Sequence, residues 1–93
     1  MVEYVVFIGG DGSKVKVRQF RKDGRQVIRW KAHDGPLATG YAKGEYSWEP
    51  DIEGKGRNLK ATAHSNGGEW PEEKAIAMAN AIEQAPKFRV YVR

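Results

Sequence analysis

The stretch from Lys14 to Ala32, KVKVRQFRKDGRQVIRWKA, holds two alternating runs joined by Asp23-Gly24. An Asp-Gly pair between alternating runs is the strongest short-range signal for a β-hairpin. Its two-residue turn needs positive φ at both central positions, and these residues adopt that readily. Such a turn leaves no freedom of register. Phe20 then faces Val27, Arg18 faces Arg29 and Lys16 faces Lys31 on one side of the ribbon. The other side pairs Gln19 with Ile28, Val17 with Trp30 and Val15 with Ala32. One face is therefore apolar and the other is a ladder of cations. Like charges directly opposite one another cost a few tenths of a kcal/mol, up to about 1, and an anion lying on the face would offset that cost.

Val2 to Ile8 alternates as a strand with Val2, Tyr4, Val6 and Ile8 on one face, and both of its faces are fairly apolar, as suits an internal strand. A second tight turn at Asp11-Gly12 would set Ile8 against Val15 and Val6 against Val17 on the core side. Phe7 would then lie beside Lys16, Val5 beside Arg18 and Glu3 beside Phe20 on the outer side. The two turn assignments agree on which face is buried, which supports a three-stranded meander.

Further along, His33-Asp34-Gly35-Pro36 breaks the third strand, because proline cannot donate to a ladder and restricts the residue before it. A short strand from about Tyr41 to Trp48 puts Tyr46 and Trp48 on one face, with Trp48 covering a sheet edge. Gly54-Lys55-Gly56 reads as a turn, and Asn58 to His64 alternates again with Leu59, Ala61 and Ala63 inward. Ser65-Asn66-Gly67-Gly68 reads as a loop. One helix starts near Pro71, which suits a first helical position, while Glu72 and Glu73 complement the positive end of the helix dipole. Ala75, Met78, Ala79, Ile82 and Ala85 form its inward stripe. Trp70 is placed to staple the helix start to the core. Pro86 ends the helix, and Lys87 to Arg93 forms a last strand with Phe88, Val90 and Val92 inward and Tyr91 among the outward residues.

The order βββ(ββ)αβ predicts a single α+β domain over residues 1–93: an antiparallel sheet, built on the N-terminal meander and packed by one helix in the C-terminal half. Ninety-three residues suffice for one modest core. With no cysteine, disulfides, thiolate metal sites and cysteine nucleophiles are excluded together. That composition, and the lack of a signal-like or membrane-spanning apolar run, predict a cytoplasmic protein without membrane contact. The net charge of +4 and pI of about 9.5 make a mild basic excess, which bears on partners rather than on fold.

The cations gather where a partner could meet them. Lys14, Lys16, Arg18, Arg25, Arg29 and Lys31 share the outer face with Phe7 and Phe20. Cations that neutralise phosphates, interleaved with rings that stack unpaired bases, are how sheet surfaces hold single strands. No RNA-recognition, KH or phosphate-loop signature accompanies them. Catalysis has little to stand on, since His33 and His64 lack ligand-type neighbours other than Asp34, and Glu45, Glu49, Asp51 and Glu53 read as solvated acids. No catalytic residue, metal ligand or cofactor is predicted.

The sequence thus predicts a small non-enzymatic binding module whose basic sheet face contacts RNA, single-stranded DNA or a nucleoprotein complex. Lys16, Arg18, Arg29 and Lys31 would meet phosphates, and Phe7 and Phe20 would stack bases. The alternative is an inhibitor or adaptor that binds a host protein or ribonucleoprotein. In general character, a short, cysteine-free, single-domain chain without a catalytic constellation resembles the accessory proteins that phages and mobile elements make to block host machinery, anti-CRISPR inhibitors among them.

Overall fold

The computed structural model describes residues 2–8, 12–50 and 57–92. Strands β1 (Val2–Ile8), β2 (Ser13–Lys22) and β3 (Arg25–Asp34) form the expected meander. It continues through β4 (Lys43–Pro50) and β5 (Arg57–Ser65), the two-residue β6 (Gly68–Glu69) and the last strand, β7 (Lys87–Val92). A four-residue helix α1 (Pro36–Thr39) lies between β3 and β4, and the main helix α2 (Glu72–Gln84) lies between β6 and β7. The strands make one sheet in the order β6-β5-β4-β3-β2-β1-β7, antiparallel at every pairing. This is the α+β architecture that the alternation predicts. Helix α2 carries the chain from the β6 edge to the far side of the sheet, where β7 pairs with β1 and makes β1 an internal strand.

The Asp23-Gly24 turn is built as its residue types dictate, with φ of 54° and 77°. Phe20↔Val27, Arg18↔Arg29 and Lys16↔Lys31 are opposed as expected, as are Gln19↔Ile28, Val17↔Trp30 and Val15↔Ala32. The first hairpin differs by a slip of two residues. Val6 opposes Val15, Tyr4 opposes Val17, Phe7 opposes Lys14, Val5 opposes Lys16, and Glu3 opposes Arg18 rather than Phe20. Pairing ends at Ile8↔Ser13, so the connection is longer than a two-residue turn. A slip of two leaves every side chain on its expected face because the strand period is two, and it changes only the neighbours.

Three more expectations are corrected. The region after Pro36 contains α1, which is too short to show a periodicity and is held by Ala38 and Thr39 N–H groups donating to the Gly35 carbonyl. The Ser65–Gly68 loop is the tip of a small hairpin, with Ser65 opposite Gly68 and His64 opposite Glu69 around Asn66-Gly67. Trp48 covers no edge, because β5 pairs beyond β4. It packs partly buried on the core side, edge-on to Tyr46 with ring centroids 5.5 Å apart. The turn expected at Gly54-Lys55-Gly56, the Asp11 half of the first turn and the facing of Phe88 to Arg93 lie outside the described residues.

The core lies between one sheet face and α2. Tyr4, Val6, Val15, Val17, Ile28, Trp30, Tyr46, Ala61 and Ala63 are buried from the sheet, and Ala75, Met78, Ala79 and Ile82 from the helix. Alanines on both partners allow close approach, and the large rings of Tyr4, Trp30 and Tyr46 fill the remaining depth. Trp70 staples the helix entrance as expected, its ring tilted against Trp30 at 5.6 Å. Gly44 sits opposite Trp30, and a Cβ there would meet the Thr62 carbonyl oxygen and approach Ala63 Cβ to 2.7 Å. Gly44→Ala is therefore expected to destabilise the fold by about 1–3 kcal/mol through overpacking, read as a lower urea midpoint with an unchanged slope.

Two phenols are buried in this layer. The Tyr46 hydroxyl donates to Glu83 Oε2 at 2.7 Å, and Gln19 Nε2 donates to the Tyr4 hydroxyl at 2.9 Å. Burial pushes both phenols above their ordinary value of 10.0, and at Tyr46 the bond to Glu83 and the charge of Glu83 act in the same direction. A phenol whose folded pKa is raised keeps its proton after the unfolded chain has lost it. Its contribution is thus complete below pH 10 and is lost as pH rises above that. The expected slope is up to about 1.4 kcal/mol per pH unit per phenol. Denaturant titrations from pH 9 to 11.5 should show Tyr46→Phe with a shallower alkaline loss than wild type.

Candidate nucleic-acid interface

Helix α2 covers one side of the sheet, and β4 and β5 extend that sheet rather than folding over it. Among the described residues no element covers the opposite face. Strand alternation puts all eight candidate residues there, namely Phe7 on β1, Lys14, Lys16, Arg18 and Phe20 on β2, and Arg25, Arg29 and Lys31 on β3. Residues from β4 and β5 join them. Lys43 stands opposite Lys31, Glu45 opposite Arg29, Lys60 opposite Ser47 and His64 opposite Lys43. The first-strand residue Glu3 stands opposite Arg18.

The cations on this face fall into two kinds. In the first, an acid is at hand. Glu3–Arg18–Arg29–Glu45 is one transverse row, in which Arg18 Nη2 lies 3.0 Å from Glu3 Oε1 and Arg29 Nη2 lies 3.2 Å from Glu45 Oε2. The two opposed arginines are drawn apart towards carboxylates at either end. Arg25 pairs with Glu49, and Lys14 Nζ is 4.0 Å from Asp34. The pairs of Arg18, Arg29 and Lys14 are largely solvent-exposed, so each holds a side chain in place and contributes at most about 1 kcal/mol, while Arg25–Glu49 is part-buried.

The second kind is the neighbouring row. Lys16, Lys31 and Lys43 stand directly opposite one another on β2, β3 and β4, all exposed, and none pairs with a carboxylate among the described residues. Lys60 is likewise exposed without one. Sequence reasoning missed Lys43 and Lys60. The signal for them was present, since Tyr46 inward on β4 places residues 43 and 45 outward, but the pairing of β4 with β3 depends on the turn that α1 builds.

The rings differ in availability. Phe7 is 36% exposed with Lys14 Nζ 5.4 Å from its centroid. Phe20 is half-buried beside the buried Val27, and the Arg29 guanidinium lies 5.1 Å from its centroid. That guanidinium occupies one side of the Phe20 ring. Tyr41, 69% exposed, precedes Lys43 by two residues and has φ of 56°. For a bulky residue this left-handed conformation costs about 1–2 kcal/mol. Hydrogen bonds hold it, with the Tyr41 N–H donating to Ala38 O at 3.0 Å and the Ala42 N–H to Leu37 O at 3.1 Å.

His33 and His64 are exposed, and among the described residues no three of His, Cys, Asp or Glu come together as a metal site requires. Glu45 and Glu49, considered as acids, are instead the counterions of Arg29 and Arg25. Also among the described residues, no helix is long and apolar enough to cross a membrane.

The chain matches no protein-family model, no curated protein and no solved structure.

Because Arg18 and Arg29 sit in exposed pairs and repel each other, removing both loses two weak attractions together with one repulsion. Arg18→Ala/Arg29→Ala is expected to remain folded with a net loss of about 1 kcal/mol or less, measured by urea denaturation with circular dichroism.

Proposed function

We propose that this protein is a small non-enzymatic binding module that holds RNA or single-stranded DNA, free or within a nucleoprotein complex, on the open face of its sheet. One observation carries the reading. The carboxylates Glu3, Asp34, Glu45 and Glu49 each pair with a cation, while Lys16, Lys31, Lys43 and Lys60 on the same uncovered face have no carboxylate partner among the described residues. A flat, cationic surface bordered by exposed rings suits phosphates and unstacked bases better than the groove of a duplex, which calls for a protruding helix or ribbon.

The mixed-charge row Glu3–Arg18–Arg29–Glu45 favours a second reading, that of an inhibitor or adaptor docking on a host protein. Alternating acids and bases match a folded surface of complementary pattern rather than a uniform polyanion.

The two readings separate in a fluorescence-anisotropy titration with labelled single-stranded RNA, single-stranded DNA and duplex DNA at low and near-physiological salt. The proposal expects binding to a single strand that weakens linearly in log–log form as salt rises, by counterion release. If no nucleic acid binds at low salt, the platform reading falls and the docking reading takes its place.

A further inference from the structure

We infer that a single-stranded nucleic acid crosses this face at right angles to the strands, along Lys16–Lys31–Lys43, with Phe7 and Tyr41 stacking bases at the two ends of that path. The inference rests on the platform reading and specifies its track. Both transverse rows set like charges opposite one another, which costs stability. The arginine row is compensated within the chain by Glu3 and Glu45, and the lysine row is not compensated by any described residue. The face therefore has one row already satisfied and one without a counterion among the described residues.

The spacing is compatible with a polyanionic strand. Neighbouring strands lie about 4.8 Å apart, so three lysines on successive strands span about 10 Å. One nucleic-acid strand in a helical stack carries a charge roughly every 3.4 Å, which places about three phosphates over the same length. The flexible lysine stems absorb the remaining mismatch.

An exposed ring comes two residues along the chain from each end of the row, counting Val5 as the β1 position beside Lys16. On β1, Val5 opposes Lys16, and Phe7 is the next residue along on the same face. Tyr41 precedes Lys43 by two residues at the start of β4. These are the two large exposed apolar side chains among the described residues. Tyr41 adds an independent argument, because its φ of 56° is one that asparagine or glycine would adopt with less strain.

The test is anisotropy with a labelled single strand of about 16 nucleotides, its duplex and a polyglutamate competitor, using the full chain with folding checked by circular dichroism. Lys16→Ala/Lys31→Ala/Lys43→Ala is expected to bind about tenfold or more weakly. Its log–log salt dependence should be shallower by about 2, from roughly 0.7 per single-strand phosphate lost. Lys74→Ala, which removes an exposed cation of α2 on the other side of the sheet, should stay within a few-fold of wild type, and Arg18→Ala/Arg29→Ala should lose less affinity than the lysine variant. Tyr41→Asn should keep its fold and lose about fivefold or more, the effect of one stacked base. If the triple variant fails to fold, Lys43→Glu alone takes its place, since it sets an acid opposite Lys31 on the exposed row.

Binding that survives loss of the lysines but not of the arginines overturns this track and leaves the platform reading intact. A duplex bound as tightly as the single strand overturns the single-strand assignment, and equal competition by polyglutamate assigns the row to an acidic protein. No binding by wild type removes the platform reading and the track with it.

Discussion

Two consecutive residues in the left-handed region, Asp23 and Gly24, hold β2 and β3 in the register on which the rest of the molecule depends. Once Val17 is opposite Trp30, the period of two decides the facing of every other residue on both strands. A slip of one residue between them would put Ile28 and Trp30 on the opposite face from Val15 and Val17, so that one strand's apolar set faced water and its cations faced the core. The apolar face thereby selects the register that the turn permits, and turn chemistry and burial agree. The neighbouring strands inherit this assignment. The slip of two in the first hairpin is tolerated because it leaves the facing unchanged, while a slip of one would not be.

One thirteen-residue helix covers one side of a seven-stranded sheet. It lies on β5 and β4 and reaches β1, and it does so closely because its inward stripe and the facing β5 positions are largely alanine. Where small side chains leave depth, Trp30, Tyr4 and Tyr46 fill it, and the two phenols end at polar partners, Gln19 and Glu83, at the margin of the helix. Burying the ring while satisfying the hydroxyl is what makes tyrosine acceptable in so thin a core. Among the described residues no second helix of comparable length is available for the other side, which leaves that face without a described cover.

The open face then has to manage its own electrostatics. It does so unevenly. The row through Arg18 and Arg29 is closed by Glu3 and Glu45, so its guanidinium groups are braced and partly neutralised, and Arg29 also packs across Phe20. Two residues along the same strands, at Lys16, Lys31 and Lys43, the same opposition of like charges has no described counterion. Arginine's planar fork suits a fixed pair with a carboxylate, whereas a lysine's compact ammonium on a flexible stem suits an anion that comes and goes. On the proposed reading, the chemistry of the two side chains matches different duties.

By itself, the sequence determined the meander, the facing of its strands, the helix and its buried stripe, and the collection of Phe7, Lys14, Lys16, Arg18, Phe20, Arg25, Arg29 and Lys31 on one side. All of these follow from local rules, a period of two, a period of 3.6 and the left-handed preference of Asp-Gly. Only the tertiary structure decided which residues stand beside them. The four-residue α1 shows no periodicity, yet it aims β4 so that Lys43 and Glu45 meet Lys31 and Arg29. The longer first connection brought Glu3 to Arg18. Both turned a uniform ladder of cations into one braced row and one open row. Facing is a property of each strand alone, while counterion pairing depends on inter-strand register and on chain-distant neighbours, which no local pattern encodes.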